Sequence, residues 1–154
     1  MQVNDKVANF TLQNQDGETV NLTDFKDKPV VLFFYPRADT PGCTIEACGF
    51  RDVFAKIQKY AVVLGISRDT PKAQKKFQEK YSLPYTLLAD VDETVCNYFG
   101  VLKDKNMYGK KVKGIERTTL VIGPDQRLLH IFPKVTPEGH AEEVLALLKE
   151  HAKA

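Results

Sequence analysis

The 154-residue chain has no tryptophan, only two methionines and three cysteines, and a formal charge of just +2. Each shortage excludes something. Three cysteines are too few for the disulfide framework that stabilises small secreted domains. A near balance of 22 Lys and Arg against 20 Asp and Glu carries no nucleic-acid signature. The densest basic stretch, Lys103, Lys105, Lys110, Lys111 and Lys113, reads as a solvated loop. The longest apolar run is far too short to span a bilayer. Met1–Lys6 lacks the basic-then-apolar order of a signal peptide, so no membrane association is expected and a cytoplasmic location is the default. There is no Gly-x-Gly-x-x-Gly and no P-loop pattern. His130, His140 and His151 fall late in the chain without metal-ligand spacing. No cofactor and no metal is expected. No linker or repeat divides residues 1–154, and that length suits one domain around one core.

What is present is an alternation of strand and helix signals. Residues 10–12 and 19–22 flank Asp16-Gly17 and predict an N-terminal β-hairpin. Val30 to Tyr35 is a continuous apolar run, as for a strand buried on both faces, and Pro36 stops it. Thr40 and Pro41 then open a helix whose apolar stripe reads Ile45, Phe50, Val53, Phe54 and Ile57. Residues 61–66 form a second buried strand, and Asp69 or Thr70 caps a helix carrying Phe77 and Tyr81 on one side. A short strand at 85–89 follows, then a brief helix capped by Asp92 and ended by Gly100. Residues 101–114 are polar and read as loop. A hairpin at 118–122 and 127–132 precedes a last helix opened by Thr136-Pro137. This order predicts an α/β fold, with a central mixed sheet flanked by helices on both faces. A thioredoxin-like arrangement satisfies it, as would another small α/β fold.

Cys43 is the residue that points to chemistry. It falls in the first turn of the predicted helix, at the carboxyl end of a buried strand. Unpaired N–H groups and the helix dipole favour a thiolate there. Peroxide converts a thiolate to a sulfenic acid, and a nearby thiol condenses with that acid to a disulfide. Cys48 is the nearest thiol. Residues five apart in an ideal helix have Cα atoms about 8.7 Å apart, whereas a disulfide needs at most about 7 Å. The first turns of the helix must therefore unwind for Cys43 and Cys48 to join. Gly42 and Gly49 flank the pair and ease that opening. Thr40 can either direct its hydroxyl at the sulfur or accept a helix N–H. Cys96, between Val95 and Phe99, reads as structural. The plain alternatives are that Cys43 and Cys48 are small core residues and that Thr40 is only a cap.

The stretch from Phe34 to Cys48, with Pro36, Thr40 and Cys43 filling Pro-x-x-x-Thr-x-x-Cys, closely resembles the peroxiredoxins, in particular the bacterioferritin comigratory protein or peroxiredoxin Q subgroup. The resemblance extends through Phe50-Arg51-Asp52, Val63–Ser67 and Gly114–Ile122, over essentially the whole chain. It implies a thioredoxin-like fold and reduction of hydrogen peroxide or organic hydroperoxides. It implies that Cys43 is the peroxidatic cysteine, that Thr40 contacts it and the peroxide, that Pro36 shields the sulfur, and that Arg117 stabilises the thiolate and orients substrate. Glu46 matches a position that holds the arginine, and Cys48 matches a resolving cysteine within the same chain. Such enzymes are usually monomeric and recycled by thioredoxin. Arg117 could instead serve only an ion pair with Glu46 or Glu116, Glu46 could face solvent, and Pro36 could only end a strand. Ser67-Arg68-Asp69 departs from the Ser-Pro-Asp expected in the subgroup, with Arg68 adding a charge. The rival functions are a one-cysteine peroxidase, a protein thiol–disulfide oxidoreductase, which would want Cys-x-x-Cys, and a noncatalytic redox sensor.

Overall fold

Asn14 sets the first turn of the molecule. Its Oδ1 accepts the N–H groups of Asp16 and Glu18, which folds Thr11–Asn14 (β1) back onto Thr19–Asn21 (β2) as the expected hairpin. The computed structural model describes residues 1–152, and of Lys105 and Met107 the backbone alone.

Val30–Phe34 (β3) is buried at every position because it is paired on both edges and covered on both faces. It runs parallel to Val62–Ser67 (β4) and antiparallel to a later strand, Thr118–Ile122. Between β3 and β4 lies Pro41–Ile57 (α1). The buried side of α1 is Cys43, Glu46, Ala47, Phe50 and Ile57. Ile45, expected on that side, is 44% exposed, because the helix turns Cys43 and Ala47 inward instead. Pro71–Tyr81 (α2) follows, and of the two candidate caps it is Thr70 whose Oγ1 accepts the Ala73 N–H at 3.2 Å. Thr86–Ala89 (β5) and Thr94–Phe99 (α3) come next. Asp92 does not cap α3. The buried Asp90 carboxylate does, accepting the N–H groups of Val95 at 3.2 Å and Cys96 at 2.7 Å.

Residues 101–114, expected as loop, largely form a hairpin of Leu102–Met107 (β6) and Lys110–Ile115 (β7). Its two-residue turn, Tyr108-Gly109, has φ of +54° and +79°, the double left-handed geometry of a type I′ connection. The strands lack apolar alternation, and Tyr-Gly is a weak form of the Asn-Gly signal, so the pattern gave little warning. Lys103, Lys110, Lys111 and Lys113 are exposed, as expected, while the Lys105 side chain lies outside the described residues.

The expected hairpin Thr118–Ile122 (β8) and Leu128–Phe132 (β9) completes the sheet. The last helix starts later than expected, at His140 (α4, His140–Ala152). Gly139, at φ +76°, interrupts the chain after Thr136-Pro137 and delays the helix.

The main sheet runs β2-β1-β5-β4-β3-β8-β9 and is mixed, as predicted. Alternate residues of β3, with Tyr35 directly after it, divide the core. Val31, Phe33 and Tyr35 pack with α1, α4 and Phe77 of α2. Val30, Leu32 and Phe34 pack with Val95 and Cys96 of α3 on the other face. Cys43 belongs to the first cluster and Cys96 to the second, so the sheet separates them.

Candidate active site

Four of the residues singled out in the sequence, Thr40, Cys43, Glu46 and Arg117, meet where β3 hands the chain to α1, with Pro36 beside them. Thr40 occupies the N-cap position in an extended conformation, Pro41 takes the first helical position, and Cys43 sits in the first turn, 1% exposed. The Thr40 hydroxyl accepts no helix N–H. It donates instead to the Arg37 carbonyl at 2.9 Å. Its proton is thereby committed away from the helix, and its lone pairs remain able to accept a hydrogen bond from a ligand.

Arg117 reaches this point from the start of β8. Its Nη1 lies 3.5 Å from Cys43 Sγ and donates to Glu46 Oε1 at 2.9 Å. One guanidinium therefore ties together residues three apart on α1. Burial works against the Arg117 charge, but Glu46 and Cys43 opposite it more than compensate and hold its pKa above the ordinary value. Glu46 faces inward, its side chain fully buried, so it is not a solvent-facing helix residue. Its Oε2 has no hydrogen-bond partner among the described residues. Burial pushes its carboxyl up to about 7, against the pull of Arg117. Glu116 is not the partner of Arg117 in this structure; Glu46 is.

Gly42, noted only as a flexible flank, has a second role. A Cβ at that position would lie 3.0 Å from Arg117 Nη2 and 3.5 Å from Pro137. Glycine there leaves the guanidinium its place against the helix, which a methyl group would crowd by a few tenths of an ångström. Pro36 and Arg117 share a groove of about 440 Å³ with Lys103, Glu116 and Lys134. A larger cavity, about 720 Å³, lies between β1 and α3 and includes none of the candidate site residues Pro36, Thr40, Cys43, Glu46, Cys48 and Arg117. The smaller groove is the relevant one because it ends on the arginine that touches Cys43.

Cys48 is half-buried, and the cysteines are all free. Both Cys43 and Cys48 lie within the uninterrupted helix α1, so the expected need for unwinding stands. Cys96 is fully buried across the sheet, and burial together with Asp90 pushes its thiol well above the usual range. Arg68 is not simply solvated. It approaches the Lys113 carbonyl at 3.3 Å and Glu93 at 3.5 Å, linking the end of β4 to the β6–β7 hairpin and to the residue before α3.

Sequence reasoning missed a second set of residues around the loop from Pro36 to Thr40. Asp39, at φ +58°, accepts from Lys80 at 2.8 Å and from the Tyr81 hydroxyl at 2.7 Å. Asp69 accepts the Ala38 N–H at 2.8 Å. His140, also missed, is buried between Phe50 and Phe132, with Nε2 2.7 Å from Thr119 Oγ1 and Nδ1 2.8 Å from Glu143. Burial lowers its pKa.

Residues 3–131 match the model of the AhpC/TSA family. The chain is 52% identical to a bcp peroxiredoxin of Coxiella burnetii over 149 residues, covering 96% of this chain and 99% of that one. It is 45% identical to the peroxiredoxin Bcp of Escherichia coli over 153 residues, covering 99% and 98%. Among solved structures, the bacterioferritin comigratory protein of Xanthomonas campestris superposes with a TM-score of 0.89 at 39% identity, over 93% of this chain and 92% of that one. That structure comes from work on its alkyl peroxide reduction.

Proposed function

The chain belongs to the AhpC/TSA family and is a peroxiredoxin enzyme with the thioredoxin-like fold, and from that premise we propose that Cys43 is its peroxidatic cysteine. The observation that carries the assignment is Arg117 Nη1 at 3.5 Å from the Cys43 sulfur, at a helix start. A fixed positive fork and the helix dipole both place positive potential at the sulfur.

The Cys43 thiolate attacks one peroxide oxygen. An S–O bond forms as the O–O bond breaks, Cys43 becomes a sulfenic acid, and the alkoxide or hydroxide leaves and takes a proton to become alcohol or water. The Arg117 guanidinium and the Cys43 backbone N–H supply donors for charge developing on the oxygens. Thr40 accepts a hydrogen bond from the hydroxyl of the peroxide and so selects its orientation. Pro36 closes the sulfur off from bulk water. Glu46 is a positioning residue, holding Arg117 from a buried site. The groove beside Pro36 and Arg117 leaves room for more than hydrogen peroxide, which supports organic hydroperoxides as substrates too, like the alkyl peroxides of the Xanthomonas relative.

Cys48 then condenses with the sulfenic acid, releasing water and forming an intramolecular disulfide after the first turns of α1 unwind. A dithiol protein of the thioredoxin type returns both thiols and carries away the oxidising equivalents. We read residues 1–154 as one such domain, acting as a monomer in the cytoplasm; among the described residues no helix is long and apolar enough to cross a membrane.

The test is hydroperoxide-dependent NADPH oxidation coupled through thioredoxin and its reductase. Wild type should turn over many times and Cys43→Ser not at all. Turnover surviving in Cys43→Ser removes the assignment. Wild type that consumes peroxide with dithiothreitol but not with thioredoxin points to another reductant.

A further inference from the structure

Helix α2 carries a buried glutamine that the mechanism above does not use. Gln74 is 0% exposed, three residues before Phe77 and on the same side of the helix. Its Nε2 donates to the Leu88 carbonyl of β5 at 2.8 Å and to Ser67 Oγ at 3.0 Å, while Oε1 lies 2.5 Å from the Tyr35 hydroxyl. The Leu88 carbonyl can only accept, so it dictates which end of the amide is nitrogen. The remaining protons follow in order. Tyr35 must donate to Oε1. Ser67 must accept from Nε2, and its own proton goes to Asp69 Oδ2 at 2.6 Å. That same carboxylate oxygen accepts the Ala38 backbone N–H at 2.8 Å.

This relay begins and ends at the reaction centre. Tyr35 directly precedes Pro36 and lies in the same buried cluster as Cys43. Ala38 lies midway between Pro36 and Thr40. The loop has one other hold on α2, the Asp39 contacts with Lys80 and Tyr81. The Asp39–Lys80 pair is largely exposed and so weak. The relay is buried from Tyr35 through Gln74 to Ser67, where a low dielectric strengthens it, and half-buried where Asp69 meets Ala38; each hydrogen bond is matched donor to acceptor.

We propose that Gln74 is a positioning residue for the peroxide reaction, acting through Tyr35, Ser67 and Asp69 to fix the Pro36–Thr40 loop over Cys43. The inference rests on the peroxidase reading, with Cys43 as the reacting sulfur. It separates two contributions. Arg117 and the helix start place positive potential at the sulfur, and neither hydrogen-bonds Gln74. The loop supplies the geometry that a peroxide needs and a simple alkylating agent does not. Breaking the relay should therefore slow oxidation without slowing alkylation.

The chain has no tryptophan to report its own oxidation. Quenched-flow mixing followed by intact mass serves instead. Reduced wild type, Gln74→Leu, Ser67→Ala, the double variant and Lys75→Met would each be reacted with hydrogen peroxide and, separately, with iodoacetamide at one pH. Thermal melts confirm that each is folded. Gln74→Leu and Ser67→Ala should each slow Cys43 oxidation about tenfold, the scale of a small misplacement of reacting groups. Alkylation should proceed at least as fast as in wild type. The double variant should be no slower than Gln74→Leu, because both substitutions break one relay. Lys75→Met, on the exposed side of α2, should match wild type.

Ser67→Ala removes a single hydroxyl and carries the test if Gln74→Leu fails to fold. Oxidation within about twofold of wild type in a folded relay variant would overturn the proposal, being well short of the tenfold loss that misplacement predicts. So would oxidation and alkylation falling together, which is general damage, or multiplying effects in the double variant, which means two separate sites. A wild-type Cys43 that does not react with peroxide overturns the peroxidase reading itself, and the relay's role falls with it.

Discussion

Replacing Glu46 with glutamine should change how the stability of the reduced protein depends on pH. The Glu46 side chain is fully buried, one oxygen is paired with Arg117, and the other has no partner among the described residues. Two effects compete. Burial raises the carboxyl from 4.5, and Arg117 lowers it; burial wins and the carboxyl sits at about 7. The native state thus holds this proton more tightly than the unfolded chain does. Its contribution to stability is complete below about pH 4.5 and is lost as pH rises through 7. Integrated from pH 5 to pH 8, the loss is roughly 2–3 kcal/mol. Glu46→Gln keeps the size and an acceptor oxygen for Arg117 but cannot ionise. Urea unfolding of both reduced proteins at steps across this range gives the difference between them, from which other titrating groups cancel. The variant should gain on wild type by roughly 2–3 kcal/mol toward pH 8. A difference that stays flat would refute the reasoning. One that runs the other way would mean that the ion pair outweighs burial. The same substitution leaves Arg117 facing a neutral amide, so peroxide reactivity should fall even as stability rises, the usual exchange at a site kept for function.

Two further outcomes test other parts of the site. Gly42→Ala places a methyl group 3.0 Å from Arg117 Nη2, so the guanidinium must give by a few tenths of an ångström; if that shift carries Nη1 off Cys43, the rate constant for Cys43 oxidation should drop about tenfold with little change in melting temperature, and an unchanged rate would mean that Arg117 has room to adjust. Cys48→Ser should leave the first oxidation of Cys43 largely intact while abolishing the intramolecular disulfide and slowing thioredoxin-supported turnover. Intact mass after stoichiometric peroxide reads this directly, and a normal disulfide in the variant would remove Cys48 from the role and bring in Cys96 despite the sheet between them.

The parts of the fold readable from sequence were those whose signals are local. The uninterrupted apolar run became β3, Thr70-Pro71 opened α2, and Gly100 ended α3. The β6–β7 hairpin was not readable, because cross-strand backbone pairing holds it and polar side chains leave no period-two pattern. The start of α4 was misplaced for a similar reason: Pro137 marks a good first turn, yet Gly139 adopts a left-handed conformation that only the folded chain reveals. In the site, Thr40, Cys43 and Cys48 follow from a few residues of local sequence. Arg117 and Glu46 entered by resemblance alone, and their contact, 71 positions apart, is tertiary. Gln74 did carry a faint signal. Its place three residues before Phe77 puts an amide on the buried face of a helix, where a polar group must find partners.

The two sets of contacts around Cys43 also answer opposite needs. Peroxide binding needs α1 intact and the loop before it held. Joining Cys43 to Cys48 needs the same first turns undone. The anchors are arranged to meet both. Upstream, Ala38 and Asp39 are held by Asp69, Lys80 and Tyr81. Downstream, the Tyr85 hydroxyl donates to the Ala47 carbonyl at 2.6 Å, and Arg51 Nη1 donates to the Tyr81 carbonyl at 2.9 Å. Apart from the Arg117 contacts, the hydrogen bonds of residues 40–46 among the described residues are local to the chain, and Arg117 grips that segment through Cys43 and Glu46. On the proposed assignment of Cys43, its conversion to a neutral sulfenic acid would weaken one of these two grips. That change would loosen the stretch of α1 that must move if Cys48 is its partner, while the contacts on either side are untouched.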